Sequence, residues 1–261
     1  MERKNLFSIE GRNVIVTGAT SGIGANICRA FAEAGANVFA VGRRENRLSE
    51  LTVSLKQFSV KADYAVCDIS SREQIKQAVR KASFLFDDNI QVLVNCAGVT
   101  GEIKVGELDE TEWHKEISVN LNGTVNMCDA VLPFMSKRKF GRIINISSIN
   151  AFVASQTIPR HGYNASKAAI CGLTTGMAVT YMKDNITVNA VCPGLFETEM
   201  TSQIFKNKIV LATYNRQVPA GRAGKPDEIN GLIIFFSSDA ASYITGQQIA
   251  VDGGYLNASY L

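Results

Sequence analysis

Short, unbroken apolar runs alternate with longer amphipathic segments along the whole chain, and this constrains the fold more than any other feature. Val14–Val16, Val38–Val41, Tyr64–Val66, Val92–Val94, Arg142–Ile146, Thr187–Val191 and Gln248–Val251 read as strands. Helical patterning covers Ile23–Ala34, Glu45–Phe58, Arg72–Leu85, Glu110–Met135, Tyr163–Lys183 and Ile229–Phe236. In the first helix Ile23, Ile27, Ala30 and Phe31 share one face, and Gly35 stops it. The Glu110–Met135 stretch is expected to bend near Gly123. Strands without polar alternation are buried on both faces, the condition of a parallel sheet between two helical layers. With right-handed crossovers, the pattern predicts an α/β fold: a doubly wound parallel sheet with helices on both faces.

At roughly 150 residues per domain, 261 residues allow one large domain or two small ones. No linker, repeat or low-complexity tract interrupts the pattern, so residues 1–261 are read as one domain. The least patterned stretch, about 195–223, is the candidate substrate loop, because structureless loops of that length are usually functional. With 46% hydrophobic and 20% charged residues the chain is not a disordered one. A net charge of +3, with both signs interspersed, argues against a nucleic-acid partner. The two histidines, His114 and His161, exclude a histidine-rich metal site, and no metal is expected. Acid–base chemistry, if present, must rest on other groups. Six cysteines show no C-x-x-C spacing and read as free thiols of a reducing compartment. The N-terminal residues lack the apolar stretch of a signal peptide, and no run reaches the ~20 residues of a membrane span. A cytoplasmic, membrane-free protein is expected.

Gly18, Gly22 and Gly24 fall at the turn from the first strand into the first helix. Glycines there let the backbone approach a pyrophosphate, and the helix N-terminus favours its charge. Their G-x-x-x-G-x-G spacing departs from G-x-G-x-x-G, and a tight turn alone would also account for them. The second strand ends Gly42-Arg43-Arg44. An NAD site usually places an acid there, whereas two guanidinium groups suit the 2′-phosphate of NADP.

Tyr163 and Lys167 are four apart, so a helix puts them on one face. A phenol ordinarily titrates near ~10, and an adjacent ammonium lowers that value. Such a pair can act as general acid and base without histidine. Ser148 ends the fifth strand, at the edge of the sheet where open α/β folds bind ligands, while Ser147 should point the other way.

Taken in order, TGATSGIG at 17–24, Asp68, NCAG at 95–98, Asn120, the serine of NISS at Ser148, YNASK at 163–167, PGLFET at 193–198 and VDGG at 251–254 resemble the short-chain dehydrogenase/reductase family. The resemblance runs from about residue 7 to 255. It implies a single-domain Rossmann-type fold, NADP(H) as cofactor, a ketone or alcohol as substrate, and a homotetramer. It assigns catalysis to Asn120, Ser148, Tyr163 and Lys167. It assigns cofactor binding to Gly18, Thr20, Ser21, Gly22, Ile23 and Gly24, to Arg43 and Arg44, and to Asp68 and Ile69. Asn95, Ala97 and Gly98 would form the ribose wall, Pro193, Gly194 and Thr198 the nicotinamide side, and Tyr163 and Lys167 would also hold the cofactor. Lys167 would contact the nicotinamide ribose, and Asn120 would hold a water linking Lys167 to solvent. Cys96 replaces the family's usual asparagine, and the serine-to-tyrosine spacing is about two residues longer than usual.

Within the family, GRIINISS, ITVNAVCPG and TEMT resemble bacterial 3-oxoacyl-carrier-protein reductases. Docking an acidic carrier protein needs a basic patch, and Lys137-Arg138-Lys139 supplies part of one, while Asp184 opposes it. Phe152, Val153, Ile158 and Pro159 would suit a hydroxysteroid dehydrogenase. Arg160 would suit the carboxylate of a sugar acid, as in a gluconate-type dehydrogenase. A non-catalytic NADP(H) sensor is the remaining alternative, since fold does not fix function.

Overall fold

The computed structural model describes residues 5–258. The ends of the expected 1–261 domain therefore lie outside the described residues. Seven strands form one sheet: β1 (Asn13–Thr17), β2 (Asn37–Gly42), β3 (Ala62–Val66), β4 (Val92–Asn95), β5 (Gly141–Ile146), β6 (Ile186–Pro193) and β7 (Gln248–Val251). Their spatial order is β3-β2-β1-β4-β5-β6-β7, and every pairing is parallel. The helices are α1 (Gly22–Glu33), α2 (Glu45–Leu55), α3 (Arg72–Leu85), α4 (Glu110–Ile117), α5 (Gly123–Arg138), α6 (His161–Tyr181), α7 (Ser202–Lys206), α8 (Lys208–Gln217) and α9 (Asn230–Ser237). This is the single doubly wound unit that the strand and helix pattern predicts.

The strands are apolar throughout because both faces are covered. Val14, Val16, Val38 and Ala40 pack on one side with Phe31 of α1 and Ile233 of α9. Ile15, Phe39, Leu93 and Ile143 pack on the other with Val79 of α3 and Val131 of α5. Burying such side chains contributes about 1.5–3 kcal/mol each. Polar bonds then fix the register of neighbouring strand ends. Thr17 Oγ1 accepts from the Cys96 and Ala97 N–H groups at 3.0 and 3.2 Å, clasping β1 to β4. Since β1 lies between β2 and β4, the chain reverses direction across the sheet there. The crevice at the strand carboxyl ends opens at that reversal.

One element meets the expected bend and another departs from the sequence pattern. The expected Glu110–Met135 helix is α4 and α5 joined by a π turn over Ser118–Asn122, directly before Gly123. A Cβ on Gly123 would meet Ile69 Cδ1 at 2.6 Å, so α5 can approach that side chain only with glycine. The 195–223 stretch is not structureless, because α7 and α8 occupy part of it. Neither helix buries a residue, which is why no apolar periodicity announced them. Asn207 caps α8 by accepting from the Ile209 and Val210 N–H groups at 3.1 and 3.2 Å.

Candidate active site

β1 ends at Thr17, and Gly18 takes φ +71°, a left-handed turn that costs glycine little. A Cβ on Gly24 would stand 2.4 Å from the Gly18 carbonyl oxygen. Glycine at both positions lets the first turn of α1 sit against the strand end. Ser21 makes no capping hydrogen bond, and no acid occupies the first turn of α1. Its N–H groups, at Gly22, Ile23 and Gly24, border a cleft of about 440 Å³. An uncapped helix start of this kind favours an anion.

The same cleft is lined by Thr20, Ser21, Arg43, Arg44, Asp68, Ile69, Ala97, Gly98, Ser148, Tyr163, Lys167, Pro193, Gly194 and Thr198. A Cβ on Gly42 would meet Thr20 Cγ2 at 2.6 Å, so the position where NAD sites usually carry an acid has no room for a side chain. Arg44 donates to the Thr20 hydroxyl through Nε and Nη2, at 3.2 and 2.9 Å, and to Ser21 Oγ at 2.8 Å. Arg43 is exposed, 4.0 Å from Asp68. Burial pushes the Asp68 carboxyl up, but the Ser70 N–H and hydroxyl, with Arg43, outweigh it and hold the group below its ordinary range. A phosphate-rich dinucleotide fits these residues: open N–H groups at one point, guanidinium groups at another, and glycines where side chains would obstruct it.

At the other end, α6 begins two residues ahead of Tyr163 and carries both Tyr163 and Lys167. Lys167 is buried, with its ammonium 5.6 Å from the centre of the Tyr163 ring and donating to the Ile146 carbonyl at 2.9 Å. Ser148 Oγ accepts from the Asn150 N–H at 3.1 Å and bonds Asn150 Oδ1 at 3.3 Å. Ser147 points away, donating to the Lys167 carbonyl at 2.8 Å. Asn164 pins the following turn by donating to the Asn150 and Val153 carbonyls. A hydroxyl, a phenol and a cation thus line the same cleft.

Two expected site residues sit elsewhere. Asn95 is buried away from the cleft. It donates to Asn145 Oδ1 at 2.9 Å, and Asn145 donates to Thr174 at 2.9 Å, a chain that ties β4 and β5 to α6. The strand alternation that places Cys96 in the cleft turns Asn95 inward. Asn120 is also buried and does not line the cleft. Its amide donates to the Val99 carbonyl at 2.9 Å and to Ser166 at 3.1 Å, and its oxygen accepts from the Val99 N–H at 2.8 Å. Those bonds use both amide hydrogens and leave one lone pair of Oδ1 open as an acceptor. It still adjoins Lys167: a Cβ on Gly98 would lie 3.4 Å from Asn120 Oδ1 and 3.5 Å from Lys167 Nζ.

Sequence reasoning missed Arg47, Glu199, Asn150 and Tyr214. Arg47 was findable, since it lies three residues from Arg44 on the helical face that starts α2. Glu199 lies within the TEMT segment, but its pairing carried no signal, because its partners are more than 150 residues away. The apolar loop residues Phe152 and Val153 are 51% and 37% exposed and do not line the cleft. His161 is exposed at the start of α6, its Nδ1 accepting from the Val105 N–H at 3.1 Å. The basic patch is largely engaged. Lys139 pairs with Asp184 at 2.5 Å, and Arg138 donates to the Asp87 and Asp88 carbonyls. Among the described residues no helix is long and apolar enough to cross a membrane.

A family model described as Enoyl-(Acyl carrier protein) reductase matches residues 18–256. The chain is 37% identical over 246 residues to the 3-oxoacyl-(acyl-carrier-protein) reductase FabG of Thermotoga maritima, covering 94% of this chain and 98% of that one. It is 34% identical over 254 residues to the 5-keto-D-gluconate 5-reductase of Escherichia coli K12, covering 97% and 99%. The crystal structure of a gluconate 5-dehydrogenase from Burkholderia cenocepacia, in complex with NADP and tartrate, superposes with a TM-score of 0.90 at 33% identity, covering 97% of this chain and 98% of that one.

Proposed function

The chain belongs to the short-chain dehydrogenase/reductase family as an NADP(H)-dependent oxidoreductase of ketones and secondary alcohols, and from that premise we propose that it reduces a 3-oxoacyl thioester. The observation that carries the proposal is the convergence of Ser148, Tyr163 and Lys167 on the cleft that also holds the open start of α1 and Arg43–Arg44. NADPH, when bound, supplies a hydride to the carbonyl carbon. Ser148 donates a hydrogen bond to the carbonyl oxygen and orients it. Tyr163 gives its phenolic proton to the same oxygen as negative charge develops there. Lys167 stabilises the phenolate left behind and holds the ribose hydroxyls of the cofactor. Asn120 keeps Val99 and the π turn in register beside Lys167.

A sugar acid is the second reading, and one observation favours it. Lys139 is paired with Asp184 and Arg138 is bonded to backbone carbonyls, which weakens the surface an acidic carrier protein would need. A hydroxysteroid has less support, since Phe152 and Val153 lie outside the cleft. The test is NADPH consumption with acetoacetyl thioester, 5-ketogluconate and 3-, 7- and 12-oxo steroids side by side. Thioester turnover dominant over the others is the expected result; turnover on 5-ketogluconate alone would replace it with the second reading. Absence of turnover on every ketone, with tight NADPH binding, would point to a sensor.

We infer a homotetramer from the family likeness and from large apolar side chains left exposed, among them Val179, Tyr243 and Ile249. A cytoplasmic location is inferred from six cysteines that are all unpaired.

A further inference from the structure

Glu199 follows β6, yet it meets residues of the first two β-α units. Its Oε2 accepts from Arg44 Nη1 at 2.9 Å, and its Oε1 accepts from Arg47 Nη1. The Ser21 hydroxyl, which accepts from Arg44 at 2.8 Å, lies next to it. A carboxylate therefore sits among two guanidinium groups and a hydroxyl at the rim of the cleft, beside the side-chain-free Gly42. That donor set is the one a phosphate monoester takes. The arginines hold the Glu199 carboxyl at about 2, so it is ionised at any pH where the protein works.

The arrangement is also displaceable. Glu199 is 48% exposed, and Arg44 and Arg47 are 40% and 44% exposed. Exposed pairs of this kind are weak, and a phosphate carries more charge than one carboxylate. Glu199 further belongs to a short, self-bonded segment. The Thr198 N–H donates to Thr201 Oγ1 at 2.9 Å, Thr201 Oγ1 donates to the Phe196 carbonyl at 2.5 Å, and α7 follows at once. Phe196, Thr198, Glu199, Met200 and Thr201 all line the cleft.

We propose that Glu199 is a specificity-determining residue, an internal anion that occupies the Arg44–Arg47 pair until the 2′-phosphate of NADP(H) displaces it and frees residues 199–206. The inference rests on the NADP(H) reading above and deepens it. A ligand without the 2′-phosphate leaves the Glu199 contacts in place. Binding of the phosphorylated cofactor loosens the segment that runs from the nucleotide end of the cleft into α7, which couples cofactor identity to the order of that wall.

The test compares wild type with Glu199→Gln, at one ionic strength because exposed charges are screened by salt. Glu199→Gln should bind NADPH and the fragment 2′,5′-ADP about 3–10-fold more tightly, with NADH and 5′-AMP changed less than about 2-fold. Hydrogen exchange gives a second readout independent of activity. In wild type, 2′,5′-ADP should speed exchange of the 199–206 amides and 5′-AMP should not; in Glu199→Gln those amides should exchange fast before any ligand is added. Unchanged or weaker 2′,5′-ADP binding in a folded Glu199→Gln protein overturns the inference. Wild-type protein that binds NADH as well as NADPH would instead overturn the cofactor preference on which it rests, and that arm needs no variant.

Discussion

On the strand-end wall of the cleft, a Cβ added at Gly24 would stand 2.4 Å from a backbone oxygen, and Lys167 is buried against the Ile146 carbonyl. On the wall that follows β6, Leu195 is held by the Tyr214 hydroxyl at 3.0 Å and Glu199 by two exposed arginines. The first wall is fixed by backbone contact and by residues that have no alternative position. The second is anchored at buried Phe196 and its bridge to Gly224, but beyond Thr198 it is tied by side-chain bonds, and α7 and α8 behind it bury no residue. A cleft built this way keeps the start of α1 and Lys167 fixed while the wall beyond Thr198 can yield. Segments with few buried contacts and exposed hydrogen bonds open at low free-energy cost.

The largest expected effect lies on the rigid wall. Tyr163→Phe removes the proton donor and leaves the cleft intact, so turnover should fall about 10²–10⁴-fold while NADPH affinity stays within about 3-fold. Stopped-flow hydride transfer and cofactor titration separate the two. Turnover near wild type would remove the phenol from the mechanism.

Gly24→Ala tests the backbone contact itself. The methyl group meets the Gly18 carbonyl and has no flexible neighbour to push aside. A loss of about 1–3 kcal/mol in urea unfolding, with NADPH affinity reduced more than about 10-fold, is expected. Gly172→Ala is the control, in α6 with nothing within 4 Å of the added carbon. It should gain about 0.5–1 kcal/mol, the ordinary helix preference for alanine. Equal effects at the two glycines would show that the close approach at Gly24 is not what matters.

Tyr214→Phe probes the yielding wall. Its hydroxyl accepts the Leu195 N–H, and its ring stacks on Tyr255 at 5.5 Å, a contact phenylalanine keeps. Only the single hydrogen bond is lost, worth about 0.5–1.5 kcal/mol. The apparent KM for the ketone should rise by about 2–10-fold with kcat nearly unchanged. An equal drop in kcat would mean that Tyr214 also supports the acid–base pair and that the two walls are not independent.

The same contrast explains what the sequence disclosed. Strand–helix alternation and the glycine turn are local patterns, so β1, α1, β2 and the Tyr163–Lys167 face were legible residue by residue. Asn95 was misplaced because its motif lies across a strand end, and alternation sends Cys96 to the cleft and Asn95 into the Asn145–Thr174 chain. Asn120 was placed in the right neighbourhood, but its side-chain bonds to Val99 depend on a π turn that periodicity does not reveal. Glu199 and Tyr214 were invisible because their roles come only from tertiary contacts, and helices with no buried face leave no periodic trace.

The smallest expected effect is one of acidity, and it should separate the walls again. Beyond Glu199, Glu228 accepts two bonds from Arg222, at 2.7 and 2.6 Å, and one from the Lys225 N–H at 2.7 Å. Arginine bonding draws both carboxyls down from 4.5 to about 2. A carboxylate depressed on folding stabilises its region fully above its unfolded value, and that contribution fades as pH falls through the folded value. The ties of the 195–228 region should therefore weaken between about pH 4.5 and 2, while the glycine contacts, which do not titrate, stay unchanged over the same window. Pepsin digestion across that range should first cut within 195–228, before the β1–α1 region, and Glu199→Gln with Glu228→Gln should bring that cleavage to the higher end of the range. Simultaneous cleavage of both regions would mean that acid unfolds the molecule as one unit, and that the walls differ in their contacts but not in their local stability.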